Sequence, residues 1–372
     1  MSEKKLKILF ISRAYPPTVG GIENQNFDLS IWLGRIAEVK IVANKHGRKF
    51  LPLFAPYALF YAIWNLRKFD AILLGDGVLS FIAWSIKIFS RKPILSVVHG
   101  LDVNYNSSSL GVWYEKFLII LYQKLWVKIF LPSIDRFIAV GNETVRVLRE
   151  ANIPAEKIVF VPNGVDPGKY QENFTRADLE KFLGEDLQDF KILMTSGRLA
   201  RRKGVAWFIR NVLPRLPENV IYIVLGDGPD KKNVTDAIKE SDSKNRIRFI
   251  GKKSNEVRDM LFHTCDIFVQ PNIKIPGDME GFGISVIEAV YAGIPVIAAN
   301  LEGLKDAIKD NRNGFLVETG DIEGYVKKIN ELLSDDAYRQ NFGQQARRYI
   351  LDNLTWEKIS KRYLEEIEKT IK

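Results

Sequence analysis

Short runs of apolar residues alternate along this chain with longer stretches in which polar positions recur at helical intervals. Lys7–Ser12, Val39–Ala43, Ala71–Gly75, Ile94–His99, Arg136–Val140 and Lys157–Val161 are runs of the first kind. Apolar runs of this length, closed by Gly, Pro or a polar turn, predict strands buried on both faces of a parallel sheet. Glu23–Gly34, Leu79–Phe89, Leu110–Phe130 and Asn142–Ala151 predict the helices that cross between them. Together they describe a doubly wound α/β sheet.

Turn residues crowd into Val161-Pro162-Asn163-Gly164-Val165-Asp166-Pro167, and a polar stretch follows to Gln188. The alternation then restarts with Phe190–Ser196, Val220–Leu225, Arg246–Ile250, Asp266–Gln270, Pro295–Ala299 and Phe315–Val317. A second parallel sheet is expected, so residues 1–166 and 167–354 are read as two Rossmann-like domains facing a cleft, with a hinge near Val165–Pro167 and a closing motion. In 355–372, Trp356, Ile359, Tyr363, Ile367 and Ile371 make a narrow apolar stripe on a charged helix, which is expected to return to the first domain.

Composition narrows the class of protein. With 46% hydrophobic and 27% charged residues, the 372-residue chain has enough apolar material for full cores, which argues against disorder. Cys265 is the single cysteine and cannot close an internal disulfide. Met1–Lys5 runs straight into a strand without a signal-type apolar stretch, so a cytoplasmic location is expected. His46, His99 and His263 are not spaced as a metal cage, and no metal site is predicted. The net charge of +9 is lopsided: up to Val165 there are 21 Lys and Arg against 12 Asp and Glu, and beyond it 33 of each. A phosphorylated substrate, an anionic membrane or a nucleic acid would each answer to such a charge. Nucleic acid ranks last because no recognition motif accompanies the charge.

Two motifs carry chemistry. In Glu280-Gly281-Phe282-Gly283-Ile284-Ser285-Val286-Ile287-Glu288, two glycines permit close backbone approach, and a helix starting near Gly283 aims its free amides at an anion. Glu288, more than a turn into that helix, can accept from a vicinal diol such as a ribose, and Glu280 in the preceding loop can face a sugar. Gly197-Arg198-Leu199-Ala200-Arg201-Arg202-Lys203-Gly204 places four cations at the carboxyl end of a predicted strand, where α/β sheets bind ligands. The fork of Arg198 and the compact charge of Lys203 suit a diphosphate. Each motif alone is also compatible with an ordinary turn and a solvated basic loop.

In this order and separation, the two motifs resemble the retaining nucleotide-sugar glycosyltransferases of family 4, which have the GT-B fold. The resemblance extends to Pro16-Pro17-Thr18-Val19-Gly20-Gly21-Ile22-Glu23, His99-Gly100, Pro162-Asn163-Gly164-Val165-Asp166 and Gly226-Asp227-Gly228-Pro229. It implies that Arg198 and Lys203 grip the donor diphosphate and that Glu288 holds the ribose. It also implies that Glu280 and the amides of Phe282, Gly283 and Ile284 contact the transferred sugar, with His99 facing it from the first domain. Gly20 and Gly21 would let their loop approach the cleft, and the base would lie near Gly226, Gly228 and the loop after Gly251. The expected donor is a UDP- or GDP-hexose; fixed cations and helix amides would stabilise the departing diphosphate without a required cofactor, and magnesium is not indicated. Whether Glu280 is a nucleophile or a positioning group stays open. One departure stands out: Leu301-Glu302-Gly303-Leu304-Lys305-Asp306 replaces the family's Gly-Gly-Ile-Pro-Glu-like turn.

The acceptor is less defined: a lipid-linked molecule, a glycan or a small molecule. Leu51–Trp64 and Leu110–Leu131 are aromatic and apolar, yet the first is short with two prolines and the second carries Glu115, Lys116, Lys124 and Lys128, so neither is expected to span a bilayer. A helix with Lys116, Lys124 and Lys128 on one side would suit the surface of an anionic membrane, making peripheral association at its inner face a second expectation. The rival readings are a nucleotide-sugar epimerase of the same fold, a glycan phosphorylase and a non-catalytic nucleotide-sugar-binding partner. A dinucleotide oxidoreductase is disfavoured because Gly20-Gly21 lacks a full G-x-G-x-x-G turn.

Overall fold

The computed structural model describes residues 5–18, 20–99, 126–170 and 174–372. The Gly100 and Val19 positions, the termini Met1–Lys4 and most of the Leu110–Phe130 segment therefore lie outside the described residues. The chain divides into two compact units, one made of Met1–Gly164 with Trp356–Lys372 and one of Val165–Thr355.

In the first unit, β1 (Lys7–Ser12), β2 (Glu38–Ala43), β3 (Ala71–Leu74), β4 (Ile94–Val98), β5 (Arg136–Ala139) and β6 (Ile158–Phe160) form one sheet in the order β2-β1-β3-β4-β5-β6. Every pairing is parallel, and Ile8 is matched to Val39 on one side and to Ala71 on the other. Ile8, Leu9, Phe10 and Ile11 are all fully buried, as a strand covered on both faces requires. The chain passes from β1 outward to β2 and then back across β1 to β3, so the carboxyl ends of β1 and β3 flank a topological switch point, the usual place for a ligand in such sheets.

Helix α1 (Gly21–Ile36) follows β1. The Leu51–Trp64 segment, which periodicity does not mark as a helix, forms α2, with Pro52 in the first turn, where no N–H is needed, and Pro56 inside. Helix α3 (Ser80–Phe89) packs beside it. The described end of the predicted Leu110–Phe130 helix, Trp126–Phe130, is wound as a π-helix, and Trp126 Nε1 donates to the Gly77 carbonyl at 2.8 Å. The helix Trp356–Ile371 lies on α1. Its Trp356, Ile359, Tyr363 and Ile367 are buried, while Ile371 is partly exposed, and Arg136 Nε on β5 donates to Glu366 Oε2 at 2.9 Å.

The second unit is a sheet of β7 (Lys191–Ser196), β8 (Val220–Leu225), β9 (Ile247–Gly251), β10 (Ile267–Gln270), β11 (Val296–Ala299) and β12 (Phe315–Val317). Its order is β12-β11-β10-β7-β8-β9, again wholly parallel, with the switch point between β7 and β10. Thr195 Oγ1 bonds both the Tyr222 hydroxyl and the Val269 carbonyl at 2.6 Å, which ties β8 and β10 to β7 across the buried sheet. At the opposite end Asp266 accepts from the Ile192 amide at 2.7 Å and from Arg339 at 3.0 Å. The strands thus present their carboxyl ends as a rigid rim.

Candidate active site

The loop leaving β7 carries the basic motif directly onto that rim. Its four cations divide into two kinds. Arg198 and Arg201 are exposed, and Arg198 has no hydrogen bond or ion pair for its guanidinium among the described residues. Arg202 and Lys203 turn inward instead: Arg202 donates to Asp278 at 2.8 Å, and buried Lys203 Nζ lies 2.6 Å from Glu280 Oε2. Gly204 closes the turn with φ +68, and a Cβ there would lie 1.9 Å from the Pro271 carbonyl oxygen, so the loop reaches the end of β10 only because the side chain is absent.

Glu280 is the centre of this cluster. Its Oε2 receives Lys203, the Asn272 amide at 3.2 Å and the more distant Arg202 Nε at 3.5 Å. Burial alone would raise its pKa, but Lys203 and Arg202, with bonds from Lys203 and Asn272, more than reverse that and hold it at about 2. Asn272 is set in turn by Gln270, whose amide donates to it at 2.7 Å. A fully ionised carboxylate is therefore built into the floor of the site.

The segment that departs from the family pattern is attached to the same loop. Glu302 Oε2 accepts from the Glu280 amide at 2.6 Å, and the Gly303 amide donates to the Glu280 carbonyl at 3.1 Å. A Cβ on Gly303 would sit 2.3 Å from the Gly281 carbonyl oxygen. Glu302 itself has φ +47, a conformation uncommon for a side chain of this kind and held here by the contacts around it. Leu301–Asp306 thus brackets the glutamate loop from behind.

Beyond Glu280, Gly283 (φ +88) caps the helix Ile284–Tyr291. The amides of Phe282 and Gly283 have no acceptor among the described residues, which leaves donors in place for an anion. One turn into the helix, Glu288 Oε1 accepts from the Tyr170 hydroxyl at 2.9 Å and lies 3.6 Å from Arg258. Burial, joined by the Glu288 charge, pushes the Tyr170 hydroxyl well above its ordinary range, so it stays a donor. Its ring leans on Tyr291, 5.2 Å between centroids.

Gly226 and Gly228 pack against the basic loop. Cβ atoms at these positions would lie 1.9 Å from the Gly197 carbonyl oxygen and 2.4 Å from that of Leu199. The Leu199 amide donates to Asp227 and the Asp230 amide to Leu199, which joins the two loops. Their glycines thus have a packing reason independent of any base.

In the first unit, His99 is buried at the end of β4, its Nε2 3.0 Å from the Gly75 carbonyl. Arg13 and wholly buried Asp76, from the ends of β1 and β3, pair at 2.9 Å beside the switch point. Gly20 is extended and Gly21 opens α1; the nearest atoms to a Cβ at 20 would be those of the Glu23 carboxylate, the end of a flexible side chain.

Asn272, Gln270, Tyr170, Arg258 and Glu302 were not legible as site residues. Asn272 offered a faint signal, a polar residue just past a buried strand; Tyr170 is 118 residues from Glu288, and nothing local announces the pairing.

Two doubly wound sheets with this glutamate, basic-loop and helix-terminus arrangement define a glycosyltransferase with the GT-B fold. The family model for glycosyl transferases group 1 matches residues 177–349, and that for glycosyltransferase family 4 matches residues 7–169. The chain belongs to the glycosyltransferases of family 4. It is 26% identical over 286 residues to the UDP-Gal:alpha-D-GlcNAc-diphosphoundecaprenol alpha-1,3-galactosyltransferase of Escherichia coli, covering 74% of this chain and 69% of that one. It is 23% identical to an uncharacterized glycosyltransferase of Methanocaldococcus jannaschii, covering 83% and 80%. Among solved structures, Anabaena HepE in complex with UDP-glucose superposes with a TM-score of 0.76 at 19% identity over 98% of this chain and 100% of that one.

Proposed function

We propose that this protein transfers a hexose from a UDP- or GDP-sugar to an acceptor hydroxyl with retention of anomeric configuration, the acceptor being a lipid-linked glycan. The arrangement around Glu280 carries the reading. When the anomeric C–O bond of the donor breaks, the pair of electrons leaves with the diphosphate and the sugar becomes oxocarbenium-like. Exposed Arg198, Lys203 and the Phe282 and Gly283 amides supply positive charge where the diphosphate would gain its negative charge. Glu280, kept ionised by its cations, suits a positioning group that orients Lys203 and accepts from sugar hydroxyls; a carboxylate of so low a pKa is weakly basic. His99 is assigned to the transferred sugar, Gly20 and Gly21 to a close backbone approach, and Gly226 and Gly228 to the neighbourhood of the base. The UDP-sugar in the name of the E. coli relative and the UDP-glucose bound to HepE favour uridine, and the diphosphoundecaprenol acceptor of that relative favours a lipid-linked one. No group of three or more His, Cys, Asp or Glu among the described residues is placed to hold a metal ion.

Calorimetric titration with UDP, GDP and ADP tests the donor site. One nucleotide is expected to bind selectively, with affinity reduced about tenfold or more in both Glu288→Ala and Arg198→Ala, since each removes a charge-assisted contact. Absence of binding by all three would overturn the assignment.

A smaller effect is expected at Tyr170. The Tyr170 hydroxyl takes one of the roughly four acceptor positions of the Glu288 carboxylate and fixes its rotamer towards the proposed ribose. Tyr170→Phe should weaken the nucleotide about three- to tenfold with little change in turnover at saturation. A fall in kcat at unchanged KM would contradict that positioning role.

A further inference from the structure

The surface of the first unit carries a feature that sugar transfer does not use. Helix α2 contains no charged residue, and it buries only one side: Phe54, Ala58 and Ala62 enter the core. The other side presents Leu53 at 72% exposure, Tyr57 at 56%, Phe60 at 63% and Trp64 at 77%, with Phe60 and Trp64 stacked 5.7 Å apart. An all-apolar helix is normally covered on every side, and large contiguous apolar surface is unusual on a protein that meets only water. The neighbouring α3 adds exposed Ile88 and, at 72%, Phe89.

Charge identifies what covers it. From Val39 to Phe69 the sequence holds Lys40, Lys45, Arg48, Lys49, Arg67 and Lys68 and not one Asp or Glu. Arg91 and Lys92 follow α3, and from Gly77 to His99 there is again no acidic residue. Tyr57 is shared with a cleft of about 320 Å³ that Lys40, Lys45, Tyr15 and Tyr61 also line, so cations stand directly beside the apolar side chains. A second copy of the chain would bring like charges together in a two-fold interface. An anionic lipid surface instead receives aromatic side chains at its acyl boundary and basic ones at its headgroups.

We infer that the α2–α3 face seats the first unit on an anionic bilayer, with Leu53, Tyr57, Phe60 and Trp64 inserted and the lysines of the α2 flanks held by lipid phosphates. This goes beyond the transfer reaction and stands without it, because none of these residues belongs to the candidate active site. No helix of the described residues is long and apolar enough to cross a membrane, so the attachment would be lateral.

Vesicle co-sedimentation with the full chain tests the inference. Phosphatidylglycerol–phosphatidylcholine vesicles should bind it at least about tenfold better than phosphatidylcholine alone, less so as salt rises. The double variant Phe60→Ser/Trp64→Ser should lose about tenfold or more on the anionic vesicles while keeping the parent's circular dichroism spectrum. Lys45→Glu/Lys49→Glu, which leaves the apolar face intact, should lose the preference for anionic lipid. Equal binding of parent and both variants, or no binding at low salt, would overturn it. So would self-association in sedimentation velocity that Phe60→Ser/Trp64→Ser abolishes in a protein that ignores vesicles.

Discussion

Replacing Lys203 with alanine is expected to lower the turnover number by about three orders of magnitude. An electrostatic contact to charge that develops only in the transition state is worth roughly 10²- to 10³-fold in rate in a desolvated site. Beside that proposed contact, Lys203 holds Glu280: its ammonium lies 2.6 Å from the carboxylate and both groups are buried. Losing it leaves a carboxylate without its main partner, and breaking one side of a buried pair costs about 3–5 kcal/mol. Rate and stability should fall together, so kinetics are compared at equal folded fraction. The double variant Lys203→Met/Glu280→Gln separates the two effects: it should recover much of the stability, having no orphaned charge, and none of the activity. Recovery of activity would show that Lys203 serves only to neutralise Glu280.

The second large effect concerns acid. Glu280 has a folded pKa near 2 against the ordinary 4.5, because its cationic neighbours outweigh its burial. A carboxyl group with a depressed folded pKa contributes stability that is fully present above its unfolded pKa and disappears as pH falls through the folded one. Its contribution therefore shrinks between about pH 4.5 and pH 2, by about 3 kcal/mol in total. Asp178, Asp336, Glu357 and Glu366 also have lowered values and create a common background. Urea midpoints measured from pH 5 downwards should fall for the parent and fall distinctly less for Glu280→Gln, whose stability at neutral pH should be lower from the start. Parallel slopes in the two proteins would mean that the ion pair does not hold Glu280 ionised.

How far the sequence discloses this molecule depends on the range of the interaction concerned. Buried strands advertise themselves locally: Lys7–Ser12, Val220–Leu225 and Phe315–Val317 were expected with the observed limits, and the others differ by a residue or two at the ends. Helix α2 escaped because periodicity requires contrast, and a segment apolar on both faces has none. The roles proposed for Glu280 and Glu288 were suggested by spacing within one motif, but their electrostatic state was not. Lys203 lies far from Glu280 in sequence and Tyr170 far from Glu288, and only the crossover that returns β10 beside β7 gives the first pair a common floor. The same holds for Glu302, whose unusual backbone angle and bond from the Glu280 amide tie to the glutamate loop a stretch that looked only like a departure from the family.

The helix Trp356–Ile371 belongs to the unit that begins the chain, although the whole of Val165–Thr355 is synthesised between them. The second unit is contiguous and has every strand of its sheet as soon as Phe315–Val317 has emerged. The first unit must wait with the groove on α1 uncovered until Trp356, Ile359 and Tyr363 arrive. On a ribosome adding about 5–20 residues per second, that wait is of the order of ten seconds or more. Completion of the first unit is thereby deferred until after the strands of the second have been made, and the interval is one in which a chaperone would find an apolar surface to hold.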